Sequence, residues 1–380
     1  MATRCDFRSD RRRTLNLPDG RPVLVIVDGS VAVTGALVSA ARQAALLANE
    51  VRTVLVLPRG HRVPSQRLTA FAEVIEISIV PLRKKALSLV AYSPALVAGS
   101  LRLRRALKRL GASRVQINDF YLLHGTMLRL MGFGGRIVTF VRIDPLRFGA
   151  AGRFWLAAAR RSSVALLAVS QFIQRGVADS RLVYEHIVPG AVRGSGDSGH
   201  LLLFVGNMIA GKGQDDAVAA FNRIAPDFPA ARLRFVGGDM GLPKNRAFRA
   251  SVEQAANAGP AADRIEFRGA SDDLSGDYAA TFAALNFSES ESFSITCLDA
   301  CAAGLPVIAT RCGGPEEIID DGETGWLVPV GDVAAMADRM AWLLGHRAEA
   351  EAMGAAGRTL VEERFSADRA RAEFKALLDL

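Results

Sequence analysis

The sequence predicts an α/β protein of two domains, each a parallel sheet flanked by helices, facing one another across a cleft. Three observations predict it. The chain has 380 residues, long for one core and comfortable for two of roughly 150 to 200 residues each. Short apolar, β-branched runs alternate with longer helix-like stretches from end to end, the rhythm of strand-helix units in a parallel sheet. Near 189–200 that rhythm stops in "PGAVRGSGDSGH", rich in Gly and Ser and nearly free of large apolar groups, which reads as a linker.

In chain order, "VLVIVD" at 23–28 is the first buried run, followed by a loop reaching Gly35 and an Ala-rich helix, "ALVSAARQAALLAN". "RTVLVL", "VIEISIV", "SRVQIN", "RIVTFV" and "SVALLAV" are the further strands of the first half. After the linker the alternation restarts with strand "LLLFVG", a helix over 212–225, strand "RLRFVGG", and a helix over 244–257. Strands "RIEFRG" and "ALNFS", a helix over 294–303, strands "PVIAT" and "GWLVPV", and three helical segments complete it. The domain boundaries drawn from this pattern are 1–190 and 200–365, with a closing helix over 366–380 placed to pack back toward the first domain. Open α/β sheets bind ligands beyond the carboxyl ends of their strands, so two facing domains enclose a site between them.

Composition narrows the function. Half of the residues are hydrophobic and the mean hydropathy is +0.18. The longest nearly apolar run, Ala86 to Leu101, is nevertheless interrupted by Tyr92, Ser93 and Pro94 and is too short to cross a bilayer as one helix. The first twenty residues carry arginines with no apolar stretch behind them, so no secretory signal is expected and the expected location is cytoplasmic. Cys297, Cys301 and Cys312 lie close in sequence without CxxC spacing or supporting histidines; no metal is expected, and the cysteines read as small core residues. The net charge of +8 hides an asymmetry: residues 1–195 carry 30 Lys/Arg against 11 Asp/Glu, and residues 196–380 carry 17 against 28. A basic first half suits a phosphorylated substrate or an anionic lipid surface. Aromatics are sparse and no common nucleic-acid motif is present, so nucleic acid is not an expected partner.

Two stretches carry chemistry. In "LLLFVGNMIAGKGQDDAV", Gly206 to Lys212 fits G-x-x-x-x-G-K between a strand and a helix. Position 213 is Gly rather than Ser or Thr, which removes the hydroxyl that would hold Mg²⁺ and argues against a P-loop nucleotidase. Lys212 beside a helix start still suits a phosphate. In "ESFSITCLDACAAGLPVIATRCGGPEEI", residues 291–318, Glu291 stands just before a helix beginning near Ser294, and Asp299 lies inside that apolar helix. Burying Asp299 there without a partner is costly, so it should face a ligand, an arginine or water. Paired carboxylates serve acid/base hydrolysis of glycosides or accept hydrogen bonds from sugar hydroxyls. The phosphate-suited segment upstream favours the second use.

Together these stretches resemble the retaining glycosyltransferases of the GT-B fold, family 4, two Rossmann-like domains facing across a cleft. The family signature "EGFGLxxLEAMAxGxPVVAxxxGGxxE" is followed nearly position by position by "ESFSITCLDACAAGLPVIATRCGGPEE". "FVGNMIAGKG" resembles its "VGRLxxxKG", "LRFVGGD" its "LxIVGxG", and "DDGETGWLVPVGD" its "xxGxTGxLVPPxD", so the resemblance spans residues 201–345. The first half is similar only in rhythm, through "LLAVSQFIQRGV" and "HIVPGAV"; "VRIDP" stands where many members have a histidine-bearing turn.

The resemblance implies a nucleotide-sugar-dependent enzyme, with a UDP- or GDP-sugar as substrate and no cofactor. Asp299 would hold the donor's ribose hydroxyls, Glu291 hydroxyls of the transferred sugar, and Lys212 the diphosphate, with Gly206 and the amides around Phe293, Ser294 and Ile295 beside it. Arg142, Asp144 and Gly35 fall on the acceptor side. Three departures bear on the donor: Asp299 is one methylene shorter than the usual Glu, "GFG" is "SFS" here, and Asn207 replaces an arginine. The implied acceptor is a glycan or a lipid-linked sugar, in cell-envelope or exported polysaccharide synthesis. Basic "RLRRALKRL" at 102–110 and "RKK" at 83–85 bracket the apolar run, a pattern suited to a peripheral anionic membrane surface. A GT-B epimerase and a non-catalytic nucleotide-binding module are the alternative readings.

Overall fold

The computed structural model describes residues 20–80, 86–188 and 200–380, apart from the side chains of 86–91. Thus "RKK" and most of the expected linker lie outside the described residues. The first sheet comprises β1 (Val23–Val27), β2 (Arg52–Pro58), β3 (Glu73–Ile77), β4 (Arg114–Ile117), β5 (Arg136–Val141), β6 (Ala165–Ala168) and β7 (Arg181–Leu182). Its helices are α1 (Gly35–Leu46), α2 (Ala86–Leu110), α3 (His124–Leu130), α4 (Gly149–Ser162) and α5 (Gln171–Gly176). The second sheet comprises β8 (Leu201–Val205), β9 (Arg232–Val236), β10 (Ile265–Arg268), β11 (Ala283–Asn286), β12 (Val307–Thr310) and β13 (Gly325–Val328). With it go α6 (Gln214–Ile224), α7 (Pro243–Asn257), α8 (Ser275–Ala279), α9 (Ile295–Ala302), α10 (Val333–Gly345), α11 (Arg347–Arg364) and α12 (Ala367–Leu378).

Every described strand pairing is parallel. The strand orders are β3-β2-β1-β4-β5-β6-β7 and β10-β9-β8-β11-β12-β13, so the winding reverses between β1 and β4 and again between β8 and β11. A parallel strand covered by helices on both faces can be apolar throughout, and all five residues of β1 are buried. The reversals place the loops after β8 and β11 side by side, the usual ligand crevice of such sheets. Those two loops contain Lys212 and Glu291.

The core runs across the domain boundary. One hydrophobic cluster joins Leu24, Leu55 and Phe140 of the first sheet to Phe293 and Leu298 of the second domain and to Phe365 and Phe374 near the carboxyl terminus. Arg136 Nε donates to Leu377 O at 2.7 Å, and Arg114 Nε to Leu378 O at 2.7 Å. These bonds tie the last carbonyls of α12, a negative helix end, to arginines of the first sheet.

Where the sequence reading differs from the structure, the cause is local. Pro94 reads as an interruption, yet α2 runs on through it; tertiary packing of Leu96, Leu103 and Leu107 outweighs the backbone bond that proline forgoes. The two-residue β7 gives too short a pattern to stand out. Among the described residues no helix is long and apolar enough to cross a membrane.

Candidate active site

The loop after β8 is shaped by close backbone approaches. A Cβ on Gly237 would lie 1.8 Å from Gly206 O, and one on Gly213 only 2.1 Å from Phe287 O. Gly213 also has φ +81°. Position 213 therefore excludes Ser and Thr by geometry, which explains why the P-loop resemblance breaks there. The first turn of α6 carries Asp215 and Asp216, so its amino end is already neutralised. The first turn of α9 has no acid and is the better-suited anion site of the two.

Lys212 Nζ lies 2.5 Å from Glu291 Oε1, and Ser288 Oγ donates to the same oxygen at 2.8 Å. The Glu291 loop is fixed by the loop after β12: Gly314 N donates to Glu291 O at 2.8 Å, and Glu291 N to Cys312 O at 3.2 Å. Ser294 caps α9 with φ 96° and ψ 84°, a backbone state that favours glycine. Its hydroxyl accepts from Asn286 Nδ2 at 2.9 Å and from Cys297 N at 3.4 Å. Ser294 thus holds a left-handed backbone where the resembling signature has a glycine, and its hydrogen bonds offset the strain. Phe293 turns its ring away into the core, 5.7 Å from Tyr184 and 5.4 Å from Phe365. Ile295 opens α9. Cys297, Cys301 and Cys312 are buried free thiols, and burial pushes the Cys301 thiol up to about 12.

Asp299 faces an arginine. Arg42 Nη2 of α1 lies 2.5 Å from Asp299 Oδ2, with side-chain exposures of 13% and 18%. The same face of the first domain supplies Val33 O, to which Asn207 Nδ2 donates at 3.1 Å. Farther out, Arg67 Nε meets Asp272 at 2.6 Å. Glu317 accepts from Gln171 N, Phe172 N and Tyr184 Oη at 2.7–2.9 Å. Neither Arg42 nor Arg67 was singled out by the sequence, and Glu317 entered only as the closing acid of the quoted signature. Arg42 had one usable signal, being the sole charge of an Ala-rich helix just as Asp299 is the sole charge of α9.

Also in the first domain, Arg142 is 9% exposed and engaged on several sides. It donates to Asn118 O at 3.1 Å and to Glu185 at 3.0 Å, and stands 4.3 Å over the Phe140 ring. Asn118 in turn donates to the Asp28 carboxylate. Burial pushes the neighbouring Asp119 carboxyl up to about 7, although Arg142 pulls it down. Asp144 caps a short 3-10 turn, accepting from Leu146 N at 2.9 Å, and Gly35 has open space where a Cβ would stand. Lys212 thus meets Glu291 and Asp299 meets Arg42, whereas Arg142 belongs to a polar cluster with Asn118 and Glu185 and Asp144 caps its own turn. Among the described residues, no group of three or more His, Cys, Asp or Glu is arranged to hold a metal ion.

Residues 199–346 match the family described as glycosyl transferases group 1. Among curated relatives, N-acetyl-alpha-D-glucosaminyl L-malate synthase of Bacillus anthracis is 30% identical over 184 residues, 48% of this chain and 46% of that protein. D-inositol 3-phosphate glycosyltransferase of Acidothermus cellulolyticus is 36% identical over 159 residues, 40% of this chain and 35% of that protein. The chain thus spans less than half the length of either relative. Anabaena Alr3699/HepE, solved in complex with UDP and glucose, superposes with a TM-score of 0.80 at 15% identity, covering 94% of this chain and 99% of that one. Sucrose-phosphate synthase from Thermosynechococcus elongatus gives 0.77 at 20% identity, covering 94% and 98%. At these identities the likeness is one of fold, and it extends over both domains. The fold is that of the GT-B glycosyltransferases, and the match to glycosyl transferases group 1 covers the residues that carry Lys212, Glu291 and Asp299.

Proposed function

We propose that the protein is a retaining glycosyltransferase that moves a sugar from a UDP- or GDP-sugar to a glycan or lipid-linked acceptor, in cell-envelope or exported polysaccharide synthesis. The observation that carries the reading is the 2.5 Å contact of Lys212 with Glu291 at the acid-free start of α9. Cleaving a sugar-diphosphate bond builds positive charge on the sugar and negative charge on the leaving group. A fixed cation and helix-start amides stabilise the second, and a carboxylate the first. When a donor binds, Lys212 exchanges Glu291 for the diphosphate, which frees Glu291 for sugar hydroxyls, and Asp299 takes the ribose. No protein nucleophile is assigned. The polar cluster of Asp28, Asn118, Asp119 and Arg142 is the acceptor side, with Arg142 positioning its neighbours rather than touching the acceptor.

The acceptor reading extends to a membrane surface. On α2, Val97 and Leu101 are 42% and 41% exposed, and Arg102, Arg105, Lys108 and Arg109 are exposed farther along the same helix. Apolar groups next to cations suit an anionic bilayer. The cytoplasmic face is where a nucleotide sugar and a lipid-linked acceptor meet. Incubation with a panel of UDP-, GDP- and ADP-sugars tests the central proposal. Slow release of free sugar from one donor is expected, and a protein that binds and hydrolyses none of them is not this enzyme.

A further inference from the structure

Arg42 and Asp299 are each the only charged residue of their helix, and they join the two domains through a single 2.5 Å bond. Only one arm of the guanidinium is used. Nη2 binds Asp299 Oδ2, whereas Nη1 is buried with no hydrogen-bond partner. Nearby, Tyr278 is 4% exposed and its hydroxyl is likewise buried without a partner. Buried donors are paired in folded proteins, and an orphan needs an explanation. A structural staple between domains would be expected to use both arms of the fork on the carboxylate, the bidentate geometry that suits this pair. A one-armed pair with an orphaned donor leaves Arg42 a hydrogen bond still to give. Arg42 also lines a cavity of about 390 Å³ with Val33, Leu37, Val38, Ala41 and Arg67, so open space adjoins its side chain.

We infer that Arg42 is a donor-recognition residue supplied by the first domain and that it reads the ribose of the nucleotide. This rests on the reading of Asp299 as the ribose site. A hydroxyl both donates and accepts: one ribose hydroxyl donates its proton to Asp299, and its oxygen accepts from Arg42 Nη1. The ribose then completes the fork that Asp299 alone leaves half used. Because Arg42 and Asp299 lie on opposite domains, the hydroxyl adds a second link across the cleft beside their direct bond, one that a nucleotide lacking it cannot make.

Calorimetric titration with UDP and GDP, and with their 2′,3′-dideoxy analogues, tests this on the wild type, Arg42→Met and Arg42→Lys, each checked for folding by circular dichroism. The wild type should bind one ribonucleotide at least about tenfold more tightly than its dideoxy analogue. Arg42→Met should lose about tenfold for the ribonucleotide and under about threefold for the analogue, collapsing the difference. Arg42→Lys, which keeps a charge for Asp299 but not the second arm, should fall between them; if Arg42→Met does not fold, this variant alone carries the comparison. Unchanged or tighter ribonucleotide binding in a folded variant makes Arg42 a mere staple or plug and overturns the inference. Wild-type protein that binds neither UDP nor GDP instead removes the donor-site reading beneath it.

Discussion

Lys212 Nζ and Glu291 Oε1 are in contact at 2.5 Å, so the cation and the carboxylate expected to attend opposite ends of a cleaving bond neutralise one another without it. The pair is partly exposed, 33% and 17% by side chain, and such pairs contribute at most about 1 kcal/mol to stability. Lys212→Ala and Glu291→Ala should therefore melt close to wild type, yet each should lower turnover at least about a hundredfold, roughly 3 kcal/mol. Donor turnover beside thermal melting measures both. Near-normal turnover in a folded variant removes that residue from its role.

Asp299→Asn should behave differently. Ribose contacts are alike in ground and transition states, so losing one should raise the donor KM more than it lowers kcat. Steady-state kinetics over a range of donor concentration gives the split. Equal losses in kcat and kcat/KM would contradict the assignment.

Ser294 combines a strained backbone with a helix cap. Ser294→Ala keeps the strain and loses the cap, and should destabilise the protein by about 1–2 kcal/mol. Ser294→Gly loses the cap but relaxes φ, and should cost less than about 1 kcal/mol. Urea denaturation of the two variants ranks them; a glycine variant less stable than the alanine variant shows that φ strain is not stored there.

Asp119, pushed up to about 7 by burial, makes stability depend on pH with a definite sign. Its folded pKa exceeds the unfolded value near 3.9, so the native state holds a proton that the unfolded chain lacks between about pH 4 and 7. Rising pH through that window costs stability, up to about 4 kcal/mol in all. Asp119→Asn cannot titrate, so its stability relative to wild type should improve from pH 5 to pH 7 and then level off. Parallel stability curves for the two proteins would place the Asp119 pKa in the ordinary carboxylate range.

Vesicle co-sedimentation tests the membrane proposal. Binding should need anionic lipid, weaken steeply with salt, and fall when Arg102, Arg104, Arg105, Lys108 and Arg109 are changed to Gln. Equal binding to neutral and anionic vesicles, or to neither, leaves an enzyme with a soluble acceptor.

The second half was legible because its chemistry is compressed. Lys212 lies in the loop after β8 and Glu291 in the loop after β11, eight residues before Asp299, so each is marked by its local strand-loop-helix pattern, and the pairing of β8 with β11 brings the two loops together. The shift from helix over 294–303 to Ile295–Ala302 is a matter of caps. The first half yielded its strands but not its contributions to the cleft, since Arg42 meets Asp299 across 257 residues. No local pattern encodes such a meeting. Two unpartnered charges on apolar helices hint at each other only once the domains are known to face. Arg142 stands directly after β5, and its bonds to Asn118 and Glu185 were no more legible, because those partners also come from distant segments.

The return of α12 to the first sheet imposes an order on biosynthesis. Residues up to 188 contain all seven strands of that sheet, yet Phe374, Leu377 and Leu378, buried by α12, arrive nearly two hundred residues later. A nascent chain leaving the ribosome therefore holds its first domain open on that side while the second is being made, with apolar surface waiting for a helix not yet synthesised. The domain that begins first is completed last, and a nick between the halves of the folded protein leaves them gripping one another through that final helix.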